Sequence, residues 1–408
     1  MKIIEEPKYI RRLFCLCCIA YVTAMLGRLN FSAAMAVMIS DGYITMTQAG
    51  FALTMLFVAY AIGQPINGAL SDRYSPRIIL TIGFALSIIA NILLALSPPA
   101  STVAGIWFLN GFAQSMLWPA VVRLLSGYLS RLQAAKAMVN ISPAVAGGTL
   151  LTYALTAGII VVWPWQTVFW IAAFTMAVVA SFCFFGIRNI ERHSAVHGQS
   201  RIATKKEEEK LVPFFSLFLC SGLPIASIAV ISQGILRDGI TSWSPTLLSS
   251  RFYLDTSVAV LITAAIPLLG VAGVYAGHLI NKRWLDNEIL TAASLFGIAT
   301  LALAIMAFGV GGFLFAVALM IATGLMHGIN TMLISLVPLH FANKGRASSM
   351  SGLLNAFTYV GSGLSGIGIG AIATGHGWAN VVLTWTIVAF VGLIACLLCA
   401  KKWKQFAQ

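Results

Sequence analysis

Twelve membrane-spanning helices in two pseudo-symmetric six-helix bundles, an all-α membrane fold, are what this sequence predicts. The chain is 59% hydrophobic and only 9% charged over 408 residues, whereas soluble domains carry roughly 25% charged residues. Its apolar residues gather in twelve runs, each long enough to cross a hydrocarbon core as a helix. The chain also repeats internally. Arg237 follows Arg28 by 209 residues, and Asn281-Lys282 follows Asp72-Arg73 by the same 209.

Residues 1–12 form a short basic tail. The runs then cover about 13–38, 48–70, 78–97, 102–126, 137–162, 165–186, 222–249, 257–280, 288–308, 311–337, 347–373 and 378–400. Most connections are short, so consecutive helices are expected to be antiparallel neighbours. The polar stretch 187–212 is the exception and reads as a solvated linker. It divides the chain into a bundle of residues 1–190, a cytoplasmic linker 191–210 and a bundle of residues 211–408. Leu211 to Cys220 is apolar with two Phe and suits a short helix lying along the membrane interface. The first run is too long and too polar in its middle for a cleaved signal, so it is read as a retained span. Runs 6, 9 and 12 are nearly free of strong polar groups and suit positions facing lipid.

A net charge of +13 raises the possibility of a nucleic-acid partner, but the placement of the charge excludes it. All but three of the 25 Lys and Arg fall in or beside loops of one side. Arg28 and Arg237 lie inside spans, and Arg251 lies on the opposite side. This is the positive-inside pattern, so the basic side, with both termini, is expected to be cytoplasmic. The seven cysteines lie in or near spans and suggest no extracellular disulfide. Cys396-x-x-Cys399 has redox spacing but sits in an apolar helix with no strand nearby. Gly147-Gly148 and Gly361-x-Gly363-x-x-Gly366 lie mid-span and suit close helix packing rather than phosphate loops. No metal cluster, nucleophile triad or nucleotide motif stands out, so neither an enzyme nor a cofactor is expected.

Arg28 is the costly residue. It lies deep in the first run, where a charge costs at least ~2.5–3.5 kcal/mol on insertion scales. Something inside the protein must offset that, and its counterpart Arg237 occupies the matching place in the second half. Only one acid, Asp238, lies inside a span, so internal pairing cannot satisfy both arginines. Asp238 is about 100° around its helix from Arg237, which points it toward a neighbouring helix. A six-plus-six repeat with selected polar helices is how transporters place a site near the bilayer midplane.

After the second run comes Gly68-Ala69-Leu70-Ser71-Asp72-Arg73-Tyr74-Ser75-Pro76-Arg77, with a degenerate twin, Gly277-His278-Leu279-Ile280-Asn281-Lys282-Arg283, after the eighth. This resembles the signature of the major facilitator superfamily and implies the major facilitator fold. Gly68 would admit a close helix. Asp72 would accept hydrogen bonds from a helix N-terminus or an arginine as part of a latch, with Arg73 and Arg77 completing the motif. Several stretches further resemble the organophosphate:inorganic phosphate antiporters, the glycerol-3-phosphate and hexose-phosphate group. They are Gly27-Arg28-Leu29-Asn30-Phe31, Gln114-x-x-x-Trp118-Pro119, Leu236-Arg237-Asp238-Gly239-x-x-x-Trp243-Ser244-Pro245-Thr246, and Gly352 to Gly363 with Tyr359.

That resemblance implies that Arg28 and Arg237 hold a substrate phosphate. The chemistry agrees, because guanidinium stays charged and pairs bidentately with phosphate oxygens. Helical spacing supplies neighbours: Tyr21, Met25, Arg28 and Ser32; Tyr60, Gln64 and Asn67; Asn110, Gln114 and Trp118; Gln233, Arg237, Thr241 and Ser244; His327 and Asn330; Asn355, Tyr359 and Ser362. Each is read either as lining a binding pocket or as making an interhelical hydrogen bond. Tyr21, Tyr60 and Tyr359 fall where the resembled family has pocket tyrosines.

The chain also departs from that family. A span-5 histidine is replaced by Ala144, beside Asn140, Ser142 and Pro143. A span-2 lysine is replaced by Gln64, and a span-7 aspartate by Ser242. Asp238 and His327 are the extra ionisable groups and the candidates for proton coupling. The expected function is antiport of a small organic anion, with membrane lipid as surroundings and the monomer as working unit in a bacterial inner membrane. A proton- or sodium-coupled symporter of sugar acids or carboxylates, and a transporter-like membrane sensor of sugar phosphates, remain alternatives.

Overall fold

A computed structural model describes residues 2–197, 213–252, 266–308 and 312–407. The expected linker beyond residue 197, and residues 257–265 of the eighth run, lie outside these described residues. Nearly everything described is helical: α1 (Pro7–Ser40), α2 (Met46–Arg73), α3 (Pro76–Ala95), α4 (Val103–Gln114), α5 (Leu117–Tyr128), α6 (Arg131–Asn140), α7 (Ser142–Val162), α8 (Gln166–His197), α9 (Phe214–Cys220), α10 (Leu223–Phe252), α11 (Ile266–Ile280), α12 (Glu288–Ala307), α13 (Gly312–Asn330) and α14 (Ala347–Ala407). Nine helical stretches among the described residues are long and apolar enough to cross a membrane.

Local sequence explains the boundaries. Thr45 and Ser130 open α2 and α6 with reciprocal capping boxes to Gln48 and Gln133, which satisfy amides that have no partner inside the helix. Asn287 caps α12 through the Leu290 amide. Pro7 and Pro76 stand in the first turns of α1 and α3, where a missing N–H costs nothing.

Two expected spans are broken. The fourth divides at Ser115–Met116, and the fifth divides at Ile141. Pro119 and Pro143 lie just after these breaks, and each ring clashes with the carbonyl four residues back, removing a helical hydrogen bond. In α14, Gly377 adopts φ 78° and separates the expected eleventh and twelfth spans. Conversely, α8 runs past Gly186 to His197. Its extension is held because Ile187, Ile190 and Ser194 are buried, Glu191 pairs with Arg77 and His193 stacks on Tyr9.

The chain forms two compact units, one of Met1–Glu208 with Phe341–Ala356, the other of Glu209–His340 with Phe357–Gln408. In the first, α1 packs on α7 and α8, α2 on α4, and α3 on α4 and α8. Its aromatic centre is Phe31, Trp107, Phe169 and Trp165 in edge and tilted contacts. In the second, α13 is central, packing on α10, α11 and α12. There the backbones of Gly273 and Gly324 touch so closely that a Cβ on Gly273 would collide with the Gly324 carbonyl.

The exposed residues of α8 include Trp170, Phe174, Val178, Phe182 and Phe185, a helical stripe of large apolar groups. The end of α14 shows the same with Leu383, Ile387, Phe390 and Ile394. Such outward stripes fit hydrocarbon and not water, and the chain is a multi-pass membrane protein.

Candidate functional site

In the first unit, a buried polar network forms around the backbone of Gly27, next to Arg28. The Asn110 amide donates to the Gly27 carbonyl at 2.9 Å and the Asn91 amide donates to it at 3.2 Å. Asn30 donates to Asn91 Oδ1 at 2.7 Å, Ser87 to Asn110 Oδ1 at 2.6 Å, and Gln114 Nε2 to Ser87 Oγ at 2.9 Å. Asn30, Ser87, Asn91, Asn110 and Gln114 are all essentially inaccessible. Helices α1, α3 and α4 are therefore pinned together at one turn, and that turn carries Arg28. Gln114 makes an interhelical bond here.

The Arg28 side chain is half-buried. Its Nη2 donates to Met25 Sδ at 3.4 Å, and its guanidinium carbon stands 5.5 Å from the Tyr60 ring centroid. Tyr60 is buried and its hydroxyl donates to the Gln114 carbonyl at 3.0 Å. One turn on, Gln64 is fully buried, and neither atom of its amide has a hydrogen-bond partner among the described residues. Tyr21 meets Trp118 edge-on at 5.4 Å, and the Trp118 indole N–H donates to Ser351 Oγ at 3.1 Å. Arg28, Tyr60, Gln64 and Gln114 thus form one neighbourhood, with Tyr21 and Trp118 a contacting pair. Asn140 is exposed at the end of α6.

In the second unit, Arg237 is held by Asp238 of its own helix and by Asn330 of α13. Its Nε and Nη2 donate to the two carboxylate oxygens of Asp238, at 2.7 and 2.9 Å, and its Nη1 donates to Asn330 Oδ1 at 3.2 Å. The Ser362 hydroxyl makes a short hydrogen bond to Asp238 Oδ2. A step of about 100° around α10 separates Asp238 from Arg237, yet the two side chains pair directly. The arginine stem is long enough to fold across that step, and the planar fork matches a carboxylate. Asp238 does also reach a neighbouring helix, through Ser362.

Gln233 donates to the Met326 carbonyl at 3.2 Å. His327 Nδ1 lies 3.1 Å from the Thr323 carbonyl. A carbonyl only accepts, so Nδ1 carries a proton in this contact. The His327 ring packs on the backbone of Gly270, where an added Cβ would stand 2.9 Å from Cγ. Tyr359 is half-buried on the α14 turn that carries Ser362.

The loop motif is organised by Asp72. Its carboxylate accepts from the backbone amides of Ser348 and Ser349 in the first turn of α14, with Arg123 4.0 Å away. Gly68 lies against the Ser348 backbone, where a Cβ would come within 2.6 Å of the carbonyl oxygen. Arg77 pairs with Glu191 at 2.9 Å, whereas Arg73 is exposed. Sequence reasoning missed Ser87, Asn91, Ser348, Ser349 and Glu191. A readable signal existed for the first two, a polar pair four residues apart in an otherwise apolar run. None existed for Glu191, which lay in the stretch assigned to the linker.

Three kinds of comparison place the chain among known proteins. It is 26% identical to the glycerol-3-phosphate transporter of Bacillus subtilis, over 91% of this chain and 85% of that protein. It is 24% identical to the membrane sensor protein UhpC of Salmonella typhimurium, over 93% and 88%. It is 23% identical to a probable hexose phosphate transport protein of Chlamydia trachomatis, over 97% and 90%. Among solved structures, the human organic anion transporter MFSD10 matches in fold with a TM-score of 0.70 at 14% identity, covering 96% of this chain and all of that one. A bacterial homologue of the iron transporter ferroportin, in an outward-facing state, gives 0.66 at 12% identity, covering 97% and 99%. The family model of the Major Facilitator Superfamily matches residues 17–366, and with the signature loop and the all-helical fold in place, the chain belongs to that superfamily.

Proposed function

We propose that the chain is a secondary active transporter of small organic anions, exchanging organophosphates for inorganic phosphate by alternating access. Arg28 and Arg237 bind the anion, and residues 1–190 and 211–408 are the two halves of the carrier. It works as a monomer in a bacterial inner membrane with both termini cytoplasmic. The observation that carries this reading is the pair of guanidiniums kept inside spans at matching positions of the repeat. A buried charge of this kind is retained where it has a task. Arg28 is supported by a polar network that fixes its backbone, and the unpartnered amide of buried Gln64 suits the hydroxyl groups of a polyol or sugar phosphate. The names of the bacterial relatives support an organophosphate as the substrate class.

Proteoliposomes loaded with phosphate test it. The protein should take up labelled glycerol-3-phosphate or a hexose phosphate, and Arg28→Ala and Arg237→Ala should abolish uptake while eluting as folded monomers. Near-parental uptake by either variant overturns the assignment.

One observation favours a second reading. A titratable carboxylate pairs with Arg237, with His327 close by, which suits a proton-coupled symporter of sugar acids or carboxylates. Dissipating the proton gradient stops such a symporter and leaves exchange running. The likeness to UhpC makes binding without transport, the mark of a sensor, the third outcome to be scored.

A further inference from the structure

Arg237 already has an anion of the protein's own on it, Asp238. Its side-on fork, Nε with Nη2, is the edge that guanidinium offers to a carboxylate or a phosphate, and Asp238 fills it at 2.7 and 2.9 Å. From these contacts we infer that Asp238 is a resident surrogate for the substrate's anionic head, and that the substrate loads by displacing it. This rests on the reading that Arg237 binds substrate.

The carboxylate is equipped to leave. Its Oδ2 is already hydrogen-bonded by Ser362 of α14, so it keeps a partner after losing the fork. Asn330 of α13 holds Nη1 and keeps the guanidinium in place while the fork changes hands. His327, also on α13, is the other titratable group facing the carboxylate. With Asp238 in place the Arg237–Asp238 pair is formally neutral, so an anion entering the fork also meets a competing charge. The resemblance to phosphate antiporters accounts for the arginine and not for the acid beside it. Asp238 therefore sets how tightly, and at what net charge, an anion is held. It is a specificity-determining residue in that it weakens binding and permits release.

A competitor occupying a site lowers apparent affinity by the fraction of time the site is blocked. Removing it should tighten binding by about tenfold or more if the fork is free less than a tenth of the time. Purified protein in detergent is titrated with inorganic phosphate, and apparent Kd is read from the rise in thermal midpoint. Asp238→Asn is expected to bind phosphate at least tenfold more tightly than the parent, whereas Asp238→Glu, which keeps the competing charge, stays within about threefold. Should Asp238→Asn fail to fold, Asp238→Ser is read in the same way.

Unchanged or weakened binding in Asp238→Asn, with binding lost in Arg237→Ala, overturns the displacement and leaves Arg237 as the anion's partner. Parental binding in Arg237→Ala overturns the underlying assignment as well. His327→Gln serves as the control. If it alone reproduces the tightening, the histidine and not the carboxylate governs affinity, and the inference fails.

Discussion

The Asp72 carboxylate caps a helix to which it is not joined in sequence. It accepts from the Ser348 amide at 3.2 Å and the Ser349 amide at 2.8 Å, the second and third residues of α14. Those are the amides a capping side chain normally satisfies. The residue preceding α14 is Arg346, whose side chain has no oxygen to offer, so α2 supplies the cap. Asp72→Ala should therefore destabilise the protein by about 1–2 kcal/mol, and Asp72→Asn by less, since its amide oxygen still accepts. Thermal unfolding in detergent reads both. An unchanged midpoint in Asp72→Ala would show that water replaces the carboxylate at no cost.

The same contact explains Gly68. A Cβ there would stand 2.6 Å from the Ser348 carbonyl oxygen and 3.1 Å from the Ser349 Cα, both backbone atoms. A flexible side chain could yield, but helix backbone cannot without moving the cap. Gly68→Ala is expected to cost roughly 1–3 kcal/mol, as overpacking does. Gly147, inside α7, has nothing within 4 Å of the same point. Gly147→Ala should be neutral, or stabilising by up to about 1 kcal/mol, through the helix preference of alanine. The thermal midpoint should fall in Gly68→Ala and hold or rise in Gly147→Ala.

How much of this was legible in the sequence depends on the range of the interaction concerned. Apolar runs and the basic loops gave the spans, because hydrocarbon length and headgroup charge act on each segment separately. Gly68 and Asp72 were readable as a close approach and a helix-end acceptor, because residue type and spacing alone carry that meaning. The breaks at Ser115 and Ile141 were latent in Pro119 and Pro143, but an apolar count does not register a lost backbone hydrogen bond. The reach of Asp238 to a neighbouring helix was readable from the step of about 100°, whereas its pairing with Arg237 was not, because Cβ directions leave out the reach of a four-bond stem. Which partners meet in the Gly27 network was out of view. The network joins residues 23 to 83 positions apart, and polarity in a span shows that a partner exists without showing which.

That network gives a prediction about Arg28. Asn110 bridges Gly27 and Ser87, donating to the one and accepting from the other. Asn110→Ala removes both bonds and strands a buried hydroxyl, which should cost about 1–3 kcal/mol. The Gly27 carbonyl keeps Asn91, so the fold should survive, but the turn beneath Arg28 loses one of its two anchors. Phosphate affinity should fall by about tenfold, equivalent to ~1.4 kcal/mol. Ala substitution at Asn67, whose amide ties α2 to Ser115 at 2.7 Å, should lower stability with a smaller effect on affinity. Equal effects of the two variants on phosphate binding would mean that general loosening, and not the placement of Arg28, is being measured.

The shape of the charge at position 28 can be separated from its presence. Arg28 stands over Tyr60 at 5.5 Å, with Nη2 on Met25 Sδ, contacts suited to a flat, weakly hydrated cation. Lysine would keep the charge but present a compact, strongly hydrated ammonium without a fork. If the anion is gripped bidentately, Arg28→Lys should lose at least tenfold in exchange rate at subsaturating substrate, and it should approach Arg28→Ala. If a point charge suffices, the lysine variant should keep more than half of parental exchange while the alanine variant loses nearly all. Tyr60→Phe leaves the ring beneath the guanidinium and removes the hydroxyl with its bond to the Gln114 carbonyl, so it should bind phosphate within about threefold of the parent; Tyr60→Leu, which removes the π-face, should weaken binding further, by the ~0.5–2 kcal/mol of a cation–π contact. Exchange assays on matched proteoliposomes, with phosphate titrations on the same preparations, distinguish these outcomes.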